Sequence, residues 1–167
     1  MKTTHTLLTV TLLLLASLSF AKGNHHLFFI HGIGNDSGSF HEAPQVVSKA
    51  MNQLGTSQKF ISETFDYETG NDELGTDDFA KSFASHLNQY FSQNPLKKHD
   101  RFSIISHSQG SFVALNWLYS IYNTKAGLKL IEKMDSFITL AGPFWGTEIV
   151  NIPLKVGRKL IDRFKLN

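Results

Sequence analysis

The chain contains no cysteine. Disulfides and a lipid-modified cysteine are thereby excluded, so an exported form of this protein has to rest on its apolar core alone. Neither sign of charge is in excess: 16 basic side chains face 14 acidic ones. So close a balance carries no electrostatic footprint for nucleic acid. Long apolar runs are missing as well. Residues 7–18 are the apolar core of the N-terminus, and even residues 7–21 are interrupted by Thr9, Thr11, Ser17 and Ser19, short of the ~20 apolar positions that a membrane span needs. Lys2 precedes this stretch and Ser19-Phe20-Ala21 closes it in a small-x-small pattern. Residues 1–21 are therefore expected to be a cleavable signal peptide, with residues 22–167 the exported domain, periplasmic or secreted.

Several ligand motifs are absent too. Gly32-x-Gly34 has serine at position 37, where a dinucleotide fingerprint places its third glycine, and no Gly-x-x-x-x-Gly-Lys occurs. His41-Glu42-Ala43-Pro44-Gln45 ends in glutamine and holds a proline, which spoils the zinc-protease pattern. His25 and His31 could share a strand face, but two histidines without a third ligand read as structural. No metal and no cofactor are expected.

What is present is material for one packed domain: 41% of residues are apolar and 12% aromatic, with 14 phenylalanines, far from a disordered composition. Strand and helix patterns alternate along it. Residues 25–31 hold four consecutive apolar positions, the mark of a strand buried on both faces. Ala43, Val46, Val47, Ala50, Met51 and Leu54 then recur at helical spacing before Gly55, with Ser39 and Glu42 as a possible capping box and Pro44 suggesting a later start. Residues 59–65 alternate, which places them nearer a sheet edge, and residues 66–78 form a polar acidic loop. Thr76 can cap the next helix, whose face is Phe79, Phe83, Leu87, Tyr90 and Phe91, and Asn94-Pro95 ends it. A third strand follows from Arg101. Residues 128–134 read as a short amphipathic segment and residues 137–140 as a fourth buried strand. Such alternation predicts an α/β fold: a mostly parallel sheet with helices on both faces, and a site at the C-terminal ends of the strands.

Residues 101–110 organise the whole. The strand breaks into Ser106-His107-Ser108-Gln109-Gly110, and Val113, Ala114, Trp117, Leu118 and Ile121 continue at helical spacing. A strand, a sharp turn and a helix in immediate succession expose the central serine in a strained conformation at a helix N-terminus, which makes Ser108 the candidate nucleophile. Taken alone, the pentapeptide reads equally as a turn whose serines cap the helix. Its context favours the nucleophile.

The pentapeptide resembles the Gly-x-Ser-x-Gly nucleophile elbow of α/β-hydrolases, with Ser106 in place of the first glycine and Gly110 as the last. His31-Gly32-Ile33-Gly34, lying upstream across one helix, a strand and another helix, resembles the oxyanion loop of bacterial lipases. Ala141-Gly142-Pro143-Phe144-Trp145-Gly146-Thr147 is similar to the Gly-x-Pro-x-x-Gly-Thr segment that follows the next strand in those enzymes. The chain is thus identified as similar to exported lipases and esterases of the α/β-hydrolase superfamily. The resemblance implies a carboxylic ester hydrolase in which Ser108 attacks the ester, the backbone N–H groups of Ile33 and Gln109 hold the oxyanion, and the substrate is a small-molecule or lipid ester.

One departure from that family is plain. The acid and histidine should follow the serine, yet all eight histidines precede it, His107 standing inside the elbow itself, and Asp135, Glu148 and Asp162 are weak candidates for the acid. The expectation is that the chain is C-terminally truncated and inactive as it stands, the base and acid lying outside it; a catalytically dead hydrolase fold kept as a binding module is the alternative. Residues 154–166 place Leu154, Leu160, Ile161 and Phe164 against a basic face. That pattern reads as an ordinary packing helix, with a lid or membrane-surface contact as the other possibility.

Overall fold

The four strands are β1 (Gly23–Ile30), β2 (Gln58–Phe65), β3 (Arg101–His107) and β4 (Met134–Leu140), and the helices α1 (Ala43–Gln53), α2 (Thr76–Gln93), α3 (Gly110–Ile121) and α4 (Lys125–Ile131) fall between them. These elements come from a computed structural model that describes residues 23–54, 58–69, 71 and 73–143. The signal peptide, Gly55 as helix stop, residues 144–147 of the segment after β4, and the helix at 154–166 lie outside the described residues.

All pairings are parallel and the strand order is β2-β1-β3-β4. The α/β fold with a parallel sheet is as the alternation of patterns predicted, and among the described residues β2 is an edge strand, as its own alternation implied. Two apolar layers sandwich the sheet. Phe28, Ile30, Phe102 and Ile104 point to the face covered by α2 and α3, where Phe79, Phe83, Leu87, Val113 and Trp117 meet them. Leu27, Phe29, Phe60 and Ile105 point to the other face, against Val47 and Met51 of α1. The period of two along β1 thus feeds both layers, which is why this strand is apolar without interruption.

Local details differ from the sequence reading where side chains found other partners. The Ser39–Glu42 capping box does not form: Ser39 Oγ donates to the Asp36 carbonyl inside a 3-10 turn, Ser37–Phe40, and Glu42 makes no capping bond. α1 begins at Ala43 with Pro44 in its first turn, where a missing N–H costs nothing. For α2 the cap is Gly75 and not Thr76, because the Asp78 carboxylate reaches back to the Gly75 N–H (3.1 Å) and pulls the start one residue earlier. The segment read as amphipathic at 128–134 divides: helix α4 ends at Ile131, and Met134 already belongs to β4. β4 is less buried than its composition suggested, with Ile138 its one fully buried residue, since among the described residues it pairs on one side only, with β3.

Candidate functional site

β1, β3 and β4 run in one direction, so their C-terminal ends open on the same side of the sheet. There β3 ends at His107 and α3 begins at Gly110, leaving two residues for the reversal. Ser108 takes φ 50, a left-handed conformation that costs a residue with a Cβ on the order of 1 kcal/mol and persists only where the surroundings impose it. They do so here. The Ser108 N–H donates to the Leu140 carbonyl at the end of β4 (3.0 Å), and its own carbonyl accepts from Ser111 N–H (3.0 Å). The Ser108 hydroxyl makes no hydrogen bond to any described residue, and the first turn of α3 has no side-chain cap. The serine is held by its backbone, with its hydroxyl unengaged by any described residue. Ala141, next to Leu140, is also left-handed at φ 52, so two strained residues sit side by side at the ends of β3 and β4.

Ser106 stands where the elbow pattern has glycine. It is fully buried, and its hydroxyl is within hydrogen-bond reach of Ser111 Oγ (3.0 Å) and the Ile138 carbonyl (3.3 Å). A serine is tolerated there because its polar atom finds partners inside the fold.

The loop after β1 rests against this turn. A Cβ built on Gly32 would lie 2.9 Å from Ser108 Cβ and 3.0 Å from His107 Nδ1, closer than carbon atoms approach. Only glycine lets the two segments touch. Ile33 follows at the tip of the loop, 61% exposed, and neither its N–H nor that of Gln109 has an acceptor among the described residues. A cavity of about 900 Å³ opens at the same end of the sheet, lined by His107, Thr139, Leu140 and Ala141 on the strand ends and by His31, Asn35, Phe40 and His41 on the side of the loop after β1. Its wall mixes apolar and polar groups.

The described histidines separate by surroundings. His31 is buried, with Nδ1 facing the Gly32 carbonyl (2.9 Å) and Nε2 facing both the Tyr67 N–H (3.3 Å) and Asp66 Oδ1 (3.2 Å). It holds the loop, and with His41 and His107 it lines the cavity. His25 and His26 sit low in β1, at the far end of the sheet, where His25 Nε2 meets Ser103 Oγ (2.8 Å) and His26 Nδ1 meets Tyr90 Oη (2.8 Å). Asp135 is at the start of β4, away from the strand ends that carry Ser108. The sequence reading missed Tyr67 and Thr69, placed in a loop described only as polar and acidic; an aromatic residue immediately past a strand's C-terminal end was the available signal.

A parallel sheet, a serine strained at a strand-to-helix elbow and a glycine loop pressed against it define the α/β-hydrolase class. Residues 21–166 match the family described as "Putative serine esterase (DUF676)", and the chain belongs to that family. No curated protein matches it by sequence. Among solved structures it is similar in fold to phospholipase PlaB from Legionella pneumophila, alone or in complex with thio-NAD, with TM-score 0.57, 21% identity, and coverage of 71% of this chain and 25% of that one. It is also similar to a cutinase-like protein from Cryptococcus sp., with TM-score 0.51, 14% identity, and coverage of 72% of this chain and 54% of that one. The chain therefore spans a quarter of the phospholipase and about half of the cutinase-like protein.

Proposed function

We propose that this protein is an exported serine hydrolase that cleaves carboxylic esters, lipid esters among them, through an acyl-enzyme on Ser108. The observation that carries the reading is the left-handed Ser108, φ 50, with a hydroxyl unengaged among the described residues and a glycine loop packed against its Cβ. Ser108 Oγ adds to the ester carbonyl carbon and gives up its proton to a base; the carbonyl oxygen becomes an oxyanion held by the N–H groups of Ile33 and Gln109. Collapse expels the alcohol and leaves the acyl group on Ser108. Water then repeats the addition and releases the acid. In the order this fold uses, acid and histidine follow the serine, whereas every histidine of the sequence precedes Ser108.

An alkyl fluorophosphonate, with imidazole added as proton acceptor, tests the nucleophile without requiring turnover. Ser108 Oγ should form a bond to phosphorus with loss of fluoride, giving one adduct by intact mass that maps to the elbow peptide. Ser108→Ala should abolish the adduct and any hydrolysis of p-nitrophenyl butyrate while stability changes by less than about 1 kcal/mol, because alanine carries the same Cβ at the same φ. A loss above ~2 kcal/mol would make Ser108 a structural cap instead.

Export is tested separately. The mature chain should begin at Lys22, since Ser19 and Ala21 flank Phe20 in the pattern cut by signal peptidase. N-terminal sequencing of the exported form that returned Met1, or a start within β1, would refute it.

A further inference from the structure

The short loop after β2 reaches across to the loop after β1 and holds it at both ends. Tyr67 Oη donates to the His31 carbonyl (2.8 Å), the Tyr67 N–H points to His31 Nε2 (3.3 Å), and the two rings stack with centroids 4.4 Å apart. Two residues on, Thr69 Oγ1 accepts the Gly34 N–H (2.9 Å) and lies 3.4 Å from the Asn35 carbonyl. The Thr69 N–H in turn bonds to the Tyr67 carbonyl (3.0 Å), so both contacts belong to one rigid turn. Tyr67 is itself fixed from behind by Phe65, stacked at 5.5 Å, and by Phe79 at 4.8 Å. Burial raises its phenol well above the ordinary tyrosine range, so the hydroxyl is a donor at neutral pH.

This arrangement sorts the amides of the loop. Gly34 N–H is consumed by Thr69, and His31 is pinned through its ring and its carbonyl. Between them stands Ile33, whose N–H has no described acceptor; the carbonyl of the same peptide, that of Gly32, faces His31 Nδ1 (2.9 Å), and the next peptide is held at the Ile33 carbonyl by Asn35 Nδ2 (3.3 Å) as well as at the Gly34 N–H. A peptide whose carbonyl is held by the pinned His31 ring, and whose successor is fixed at both ends, points its N–H in one direction. An oxyanion donor is effective in proportion to that preorganisation, because no reorientation is needed as charge develops.

We propose that Tyr67 and Thr69 are positioning residues that clamp the oxyanion loop from the neighbouring edge strand and aim the Ile33 amide. The proposal rests on the reading of Ser108 and Ile33 given above. Neither residue touches substrate; both act through the backbone of residues 31–35. The clamp lies outside both the elbow and the glycine loop, so a change in the β2 loop alters reactivity at Ser108 without altering any group that contacts the ester.

The saturation kinetics of Ser108 labelling by an alkyl fluorophosphonate separate this role from a structural one. Thr69→Val keeps the shape and loses the Gly34 contact; Tyr67→Phe keeps the ring stack and loses the hydroxyl. Each should lower the limiting rate of labelling about tenfold, a fraction of the 10²–10³ that removal of a whole oxyanion donor costs, with the reagent's binding constant and the melting temperature nearly unchanged. Thr69→Ser, which restores the hydroxyl, should recover most of the rate. Wild-type protein labelled at Ser108, with both variants reacting equally fast, overturns the clamp and leaves the nucleophile standing. Wild-type protein that is not labelled at Ser108 even with imidazole supplied as the proton acceptor overturns the nucleophile, and the clamp with it.

Discussion

Gly110→Ala should cost the fold about 3 kcal/mol or more, measured as the shift of a urea unfolding curve against wild type. A Cβ at this position would lie 2.4 Å from the His31 carbonyl oxygen, 2.6 Å from that of Ile30 and 2.9 Å from Ile30 Cγ2. Two of the three obstacles are main chain. Overpacking commonly costs 1–3 kcal/mol when side chains can give way; here the first turn of α3 would have to lift off the end of β1. The same movement would separate the elbow from the glycine loop, so reactivity at Ser108 should fall even in whatever fraction stays folded. Gly110→Ala with wild-type stability would mean that α3 does not press on β1 as described.

Acid should unfold the protein in a window set by two histidines. Burial holds both His25 and His26 below the ordinary histidine value of 6.5; Asp135 and Gln58 oppose this at His25, as Asp100 does at His26, without cancelling it. Each side chain is almost wholly buried, at 3% and 2% exposure, and His26 Nε2 has no hydrogen-bond partner among the described residues. An unfolded histidine takes up its proton near pH 6.5 while the folded one stays neutral to lower pH. Below 6.5 the unfolded chain binds more protons and stability declines; above it neither state binds and nothing is gained by further alkali. Each fully engaged proton contributes about 1.4 kcal/mol per pH unit, so the pair gives a limiting slope of about 2.7. Asp100 leaves this window clear. Burial alone would raise its carboxyl, but the N–H groups of Asn24 and Lys97 outweigh that and lower it, so its contribution is lost only below the carboxylate range. Unfolding midpoints at half-unit steps from pH 7.5 to 5 should be flat and then fall, and His26→Leu should roughly halve the slope. A flat profile throughout would show that neither ring resists protonation.

Much of this was legible in the chain because the physics is local. The uninterrupted apolar run of β1, the alternation in β2 and the face Phe79, Phe83, Leu87 of α2 each state a burial pattern that the sheet order then satisfies. The elbow was legible because a strand and a helix separated by two residues leave few backbone paths, and a left-handed residue is the usual solution. What escaped was decided by contacts between distant segments. Nothing near Tyr67 or Thr69 in sequence indicates that the acceptors and donors they meet are 34–36 residues away, on the loop after β1. The capping of α1 was misread for the opposite reason, since Ser39 had a closer partner in Asp36 than the helix could offer.

The order of the strands has a consequence for biogenesis. β1 is made first, yet its place is inside the sheet, between β2 and β3. Asn24 and Asp100, which tie the start of the β1–β3 pair, are 76 residues apart. Closing so long a loop is slow, and pairings of this separation come late in folding. For all of that interval a nascent chain carries Leu27, Phe28, Phe29 and Ile30 on a strand with an open edge, the kind of surface that invites intermolecular pairing. The meeting of glycine loop and elbow waits on the same event. The molecule is therefore at its most aggregation-prone just before the elbow meets the glycine loop, and the seating of β3 beside β1 ends the exposure.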